Sequence, residues 1–71
     1  MPTFTTLHES LSFDTQTKIH KTRAAAELHM ATVLIKDGEW PREEAIKAAK
    51  KGTPVLVLDN GDDETIQIQE L

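Results

Sequence analysis

The chain has 71 residues, with 12 acidic and 8 basic side chains, a net charge of −4 and a pI of about 5.2. This length allows one small domain over residues 1–71 with a limited core, and the absence of cysteine excludes disulfides and cysteine-based zinc sites. The acidic balance disfavours an extended nucleic-acid-binding role, which usually requires a basic face and a high pI.

The first thirteen residues carry mixed signals. The β-branched and aromatic residues from Thr3 to Thr6 favour a short strand. Thr6 followed by Glu9 also fits a capping box, which would start a short helix at Leu7. A further alternative is that residues 1–13 form a flexible arm that becomes ordered when a partner binds.

The stretch from Thr17 to Lys36 is predicted to form the main helix. Four apolar residues share one face at helical spacing, with Leu34 beside them, and are expected to face the core: Ala24, Leu28, Ala31 and Ile35. Asp14 or Thr15 would cap the start, and Gly38 would adopt the left-handed conformation past the end. The β-branched residues of the second half leave an alternative open, in which Val33 to Ile35 belong to a strand.

A second helix is predicted from Pro41 to Lys51. Proline suits the first helical turn, where its missing N–H is not needed. Acidic residues follow at the start and basic residues at the end, which complements the helix dipole. Gly52 is a natural stop. The apolar face consists mainly of small residues that allow close packing: Ala45, Ile46, Ala48 and Ala49.

The C-terminal third predicts a β-hairpin. Val55 to Leu58 is an apolar run that is typical of a strand covered on both sides. Thr65 to Gln69 alternates, with Ile66 and Ile68 on one face, and the Asn60-Gly61 pair marks the turn between the two strands. The expected fold is α+β, with two main helices packed on a C-terminal antiparallel β-hairpin and a short N-terminal strand as a third member.

Two sets of polar residues have the composition of a catalytic or zinc site, and each has a simpler interpretation. His8, Ser10 and Asp14 include the residue types of a hydrolase triad. No nucleophile elbow accompanies them, so roles at turns and helix ends are favoured. The three histidines lack the three-to-five-residue spacing of helical zinc ligands, and His20 and His29 would point to opposite sides of the long helix. Surface histidines are therefore expected.

The acidic residues of the hairpin form a separate candidate site. They provide oxygen ligands for calcium without the spacing of an EF-hand, so a solvated turn is favoured. An acidic edge can also bind a basic groove on another protein. Trp40, the sole tryptophan, either closes the core or acts as an exposed binding anchor. The candidate partner-binding residues are Trp40, Asp59, Asp62, Asp63 and Glu64.

Nucleic-acid contact has only one local signal. Lys18, Lys21 and Arg23 are candidate phosphate contacts, although so few cations give a modest electrostatic contribution to binding. The sequence contains no apolar run of the roughly 20 residues that span a bilayer, and its N-terminus lacks the features of a signal peptide. A cytoplasmic protein without a membrane partner is expected.

The function expected from these patterns is binding rather than catalysis. The sequence contains no nucleophile–base pair, phosphate loop or cofactor fingerprint, so we expect no enzymatic activity and no cofactor. The favoured interpretation is a small acidic interaction protein that binds and regulates or inhibits a larger protein complex. Examples of this class are phage-type inhibitors of host RNA polymerase or of another nucleic-acid-handling complex. A structural subunit of an oligomer is an alternative.

A further alternative comes from the segment AIKAAKKGTPVLVLDNGDDETIQI, residues 45–68. It resembles the helix, glycine and hairpin of Phd-type antitoxins. The resemblance covers about a third of the chain and implies a dimeric transcriptional regulator that binds operator DNA. Those proteins usually continue with a basic or small residue after the turn glycine, where this chain has Asp62, Asp63 and Glu64.

Overall fold

The computed structural model describes residues 3–10, 15–58 and 64–70. In these ranges the elements are, in chain order, β1 (Phe4–Glu9), β2 (Gln16–His20), α1 (Arg23–Lys36), α2 (Arg42–Lys51), β3 (Val55–Leu58) and β4 (Glu64–Glu70). The strands pair antiparallel in the order β2-β1-β4-β3. The predicted α+β class is confirmed, and the described sheet has four strands rather than the two or three expected.

The two central strands come from opposite ends of the chain. β1 pairs with β4 along its whole length, from Phe4 opposite Glu70 to Glu9 opposite Thr65. On its other side β1 pairs with β2. The predicted N-terminal strand is therefore present and lies inside the sheet. The predicted short helix at Leu7 is wrong, because these residues belong to a strand that is paired on both sides.

The main helix α1 begins at Arg23, later than predicted, because Gln16–His20 form β2. Thr22 has an extended backbone, and its side-chain oxygen accepts a hydrogen bond from the Ala25 N–H at 3.1 Å. Thr22 is thus the N-cap, in place of Thr15, while Asp14 lies outside the described residues. The helix continues through Val33 to Ile35, which excludes the alternative strand.

Gly38 follows α1 for reasons of space rather than of backbone conformation. The positive φ expected at Gly38 occurs instead at Glu39, at 55°. A Cβ atom at Gly38 would collide with the Val57 carbonyl oxygen and would lie 2.7 Å from Cδ1 of Trp40. The expectation of a left-handed Gly38 is therefore wrong, and close packing at the end of α1 explains the glycine.

The face of α1 that packs on the sheet is not the predicted one. The fully buried residues of this helix are Ala26, Met30 and Leu34. Of the predicted stripe only Ala31 is buried, while Leu28 is 70% exposed and Ile35 is 38% exposed. Residues two positions apart on a helix point to nearly opposite sides. The stripe that was expected to form the core therefore lies mostly on the outside.

The core is built from α1, the inner face of the sheet and α2, which packs on α1. α1 contacts β1, β2, β4 and α2. The predicted second helix is present and begins at Arg42, so Pro41 is its N-cap and not a residue of its first turn, while Gly52 ends it with φ at 69° as predicted. The Gly52 carbonyl accepts a hydrogen bond from the Ile68 N–H at 2.9 Å, which ties the end of α2 to β4. The buried residues outside α1 are Ala45, Ala49, Val57, Ile66 and Ile68.

The outer face of the sheet is not covered by any other described element. Ile66 and Ile68 point inward from β4, as the alternation predicted. β3 was expected to be covered on both sides, but Leu56 is 47% exposed on the outer face, whereas Val57 is buried on the inner face. That expectation is wrong because β3 is an edge strand of a sheet with one helical layer.

Neither described helix is long and apolar enough to cross a membrane.

We expect Thr22→Ala to lower the free energy of unfolding by about 1 kcal/mol, because the Ala25 N–H loses its acceptor. Thr22→Ser keeps a side-chain oxygen and should remain close to the wild type. Urea denaturation followed by circular dichroism measures both variants. Equal stability of Thr22→Ala and the wild type would show that this cap does not set the start of α1.

Candidate functional site

The histidines that were expected on separate surfaces lie close together. The Nε2 atom of His20 on β2 and the Oγ1 atom of Thr6 on β1 are hydrogen-bonded at 3.2 Å. The His20 ring lies 5.4 Å, centroid to centroid, from the ring of His29 on α1. The expectation that these two histidines point to opposite sides of one helix is wrong, because His20 belongs to a strand.

A groove of about 380 Å³ lies beside these rings, lined by His8, Gln16, Thr17, Lys18 and His29. The pKa of His29 is lowered from its ordinary value of 6.5, mainly because partial burial disfavours the charged ring. The positive charge of Lys18 lowers it further, followed by the effects of His20 and His8. The His29 imidazole is therefore mostly neutral at pH 7.

His8 and Glu64 form a buried ionisable pair across the two central strands. Each residue is only 7% exposed, and the Nε2 atom of His8 is hydrogen-bonded to Oε1 of Glu64. His8 is opposite Ile66 in the sheet, and Glu64 lies two positions before Ile66, on the same face of β4. The expectations of a surface histidine at position 8 and of a solvated carboxylate at position 64 are both wrong.

Asp37, the C-cap residue of α1, brings a second carboxylate to this pair. One potential ligand atom from each of His8, Asp37 and Glu64 lies within 4.8 Å of the other two. An imidazole nitrogen and two carboxylate oxygens are a donor set that divalent transition metals accept. Reasoning from the sequence missed this cluster, because its members lie on three elements far apart in the chain and show no ligand spacing.

The candidate partner-binding residues do not form one surface among the described residues. Trp40 is half-buried against the core, and its indole N–H donates a hydrogen bond to the Val57 carbonyl at 3.1 Å. Glu64 is buried beside His8. The remaining members of the set lie outside the described ranges: Asp59, Asp62 and Asp63.

The candidate phosphate contacts are also divided. Lys18 and Lys21 are exposed. Arg23 donates a hydrogen bond to the Lys50 carbonyl at 3.1 Å, and its Nε lies 3.8 Å from a carboxylate oxygen of Glu27. The guanidinium thus stabilises the negative end of α2, where the last carbonyl groups lack helical partners. Of the triad-like residues, His8 is bonded to Glu64, and Asp14 lies outside the described ranges.

A second groove, here called the helix groove, follows the outer side of the helix pair. Its lining residues are Ala24, Glu27, Leu28, Ala31, Ile46, Ala49 and Lys50. Leu28 is largely exposed there, and Ile46 is 37% exposed. The signal for this surface was present in the sequence as the regular apolar stripe, but the stripe was assigned to the core.

Comparison with known proteins identifies no relative of this chain, so a function has to be proposed from the geometry of the structure. A scan against protein-family models finds no match. Searches of the curated proteins and of the solved structures also find no similar protein. The resemblance of residues 45–68 to Phd-type antitoxins therefore stays an expectation from the sequence.

We expect the free energy of unfolding to increase as pH rises toward 6.5 from below. The pKa of His29 is lower in the folded chain, so on acidification the unfolded chain binds a proton first, which favours unfolding. The dependence continues through pH 6.5, where the unfolded ring is still half protonated, and levels off about one pH unit higher, where both states hold the ring neutral. Urea titrations at several pH values between about 5 and 8 measure the slope.

His29→Gln should remove this contribution to the slope. Lys18→Gln should reduce it, because Lys18 helps to lower the pKa of His29. Lys21→Gln is the matched control, since Lys21 is an exposed lysine that is not a cause of the shift. An unchanged slope in His29→Gln would contradict the assignment.

Proposed function

We propose that this chain is a small non-enzymatic interaction protein that acts as a homodimer assembled through the helix groove. The observation that carries the proposal is the joint exposure of Leu28 and Ile46 on one face of the helix pair. Large apolar side chains that gather at a surface mark sites of protein contact. In so small a domain, burying them in an interface would also add to a limited core.

The shape of the groove suits the close approach of other helices. Ala24, Ala31 and Ala49 line it, and such small side chains keep the surface low between Leu28 and Ile46. The groove has a volume of about 250 Å³. Side chains that project from one helix pair can pack into a depression of this kind on another pair. A second copy of the chain supplies projecting side chains of the required type.

The charges of the groove are complementary to those of a second copy. Glu27 lies on α1 and Lys50 on α2, on opposite sides of the apolar floor. A two-fold axis along the groove places α1 of each copy over α2 of the other. Glu27 of one copy then faces Lys50 of the other, and both pairs form at once by symmetry. This match favours a second copy over an unrelated helix as the occupant.

Such a dimer leaves the outer face of each sheet available for a larger partner. Ile19, which is 70% exposed, lies opposite Thr5, and Leu56 lies opposite Thr65. Thr5 and Thr65 each neighbour a residue on the inner face, Thr6 and Ile66, and successive side chains of a strand alternate between faces. Ile19 and Leu56 therefore point away from the helices. The dimer presents this surface twice, which supports the role of binding and regulating a larger protein complex.

We expect Leu28→Glu to weaken the dimer at least about tenfold, because a buried charge would face the apolar floor of the second copy. Ile19→Glu is the matched control, since Ile19 is equally exposed but lies on the sheet. Sedimentation velocity over a concentration series measures the dissociation constant. A wild-type chain that stays monomeric at about 0.1 mM, or equal effects of the two changes, would overturn the proposal.

The two-fold arrangement has a test of its own. Glu27→Lys and Lys50→Glu should each weaken the dimer, because each change opposes like charges across the interface. The double variant restores opposite charges and should recover most of the affinity. Circular dichroism controls for the contact that Glu27 makes with Arg23 in its own chain. A double variant that binds no better than either single variant would contradict this arrangement.

A further inference from the structure

We propose that His8, Asp37 and Glu64 form a binding site for one divalent metal ion of the zinc type. The site is separate from the helix groove, because it lies between the two central strands and the C-terminal end of α1. It provides one imidazole nitrogen and two carboxylate oxygens. This mixed set suits Zn²⁺ and related first-row ions better than Ca²⁺ or Mg²⁺, which prefer oxygen ligands alone.

The distances in the cluster are within reach of metal coordination. Zn²⁺ binds histidine nitrogen and carboxylate oxygen at about 2.0–2.2 Å, so that neighbouring ligand atoms around a tetrahedral ion lie about 3.4 Å apart. The three potential ligand atoms lie within 4.8 Å of one another. Asp37 is exposed, and its side chain can rotate toward an ion. The Nε2 atom of His8 and the Oε1 atom of Glu64 are hydrogen-bonded to each other, and an ion would replace that bond as the two atoms move apart.

The backbone holds two of the three ligands in place. His8 and Glu64 lie on paired central strands, and both side chains are buried, so few other rotamers are open to them. The Asp37 N–H donates a hydrogen bond to the Val33 carbonyl at 2.8 Å, which fixes its position at the end of α1. Two buried ligands that converge from separate strands distinguish this cluster from an ordinary group of surface carboxylates.

A bound ion would link three elements of the fold. It would join β1 to β4 and both strands to the end of α1, next to the loop that leads into α2. Because the ligands are far apart in sequence, the unfolded chain holds no comparable site. The ion would therefore stabilise the folded state, by an amount that rises with the logarithm of its concentration above the dissociation constant. Exposed Asp37 leaves one side of the site open to solvent, through which the ion can enter.

The test is a titration of the full chain with zinc chloride, followed by isothermal calorimetry. We expect one ion per chain with a dissociation constant of about 10 µM or lower. Asp37→Asn should weaken binding at least about tenfold, since a carboxylate ligand becomes a neutral amide. Glu39→Gln is the matched control, because it removes an exposed carboxylate from the same loop without touching the cluster. Both changes lie on the surface and keep the core intact.

Nuclear magnetic resonance identifies the histidine that binds the ion. We expect zinc to shift the ring nitrogen resonances of His8 and to leave those of His20 and His29 nearly unchanged. A shift confined to the other two rings would place the ion between β2 and α1 and overturn the proposal. Equal affinity of Asp37→Asn and the wild type, or no binding below about 1 mM, would do the same.

The proposed metal site and the proposed dimer can be tested independently of each other. Repeating the titration with Leu28→Glu separates the two, because this change disrupts the helix groove and leaves the cluster intact. Unchanged zinc affinity in that variant would support a site contained within one chain. Loss of binding in that variant, with its fold retained by circular dichroism, would instead contradict the three-residue site.

Discussion

The pairing of β1 with β4 is the constraint on which the rest of the structure depends. It joins the two ends of the sequence at the centre of the sheet, from Phe4 opposite Glu70 to Glu9 opposite Thr65. Because β1 also pairs with β2, the remaining two strands lie at the edges. The inner faces of β1 and β4 then form the surface on which α1 packs. Pairing segments so distant in sequence carries a loop-closure cost in entropy, which the contacts between the two strands and with α1 must offset.

The same strand pairing buries two ionisable side chains in a small core. His8 and Glu64 are buried together because their strands are neighbours, and their mutual hydrogen bond offsets the cost of removing both from water. Burying two ionisable groups costs free energy that a small core can offset only in part, and among the described residues the three largest fully buried side chains are Met30, Leu34 and Ile66. A role in holding an ion gives that choice a physical reason, since Asp37 completes a ligand set beside them.

The outer side of the helix pair shows the complementary feature. α1 has apolar residues on two opposite sides, and only the side with Met30 and Leu34 is covered by the sheet. α2 covers part of the other side through small alanines, which leaves Leu28 and Ile46 at the surface. A helix that is apolar on both sides normally has both sides buried. The proposed dimer would supply the missing cover.

The sequence by itself determined the elements whose signals are local. The α+β class, the helix ending at Gly52 and the inward side of β4 all follow from caps, charges and alternation within a few residues. Only the tertiary structure decided which side of α1 is buried, because two apolar faces compete on that helix and the sheet selects one. It also decided that residues 16–20 form a strand, since β1 offers them a partner. The cluster of His8, Asp37 and Glu64 could not be predicted from the sequence for the same reason. Long-range strand pairing brings its members together, and no local residue spacing indicates it.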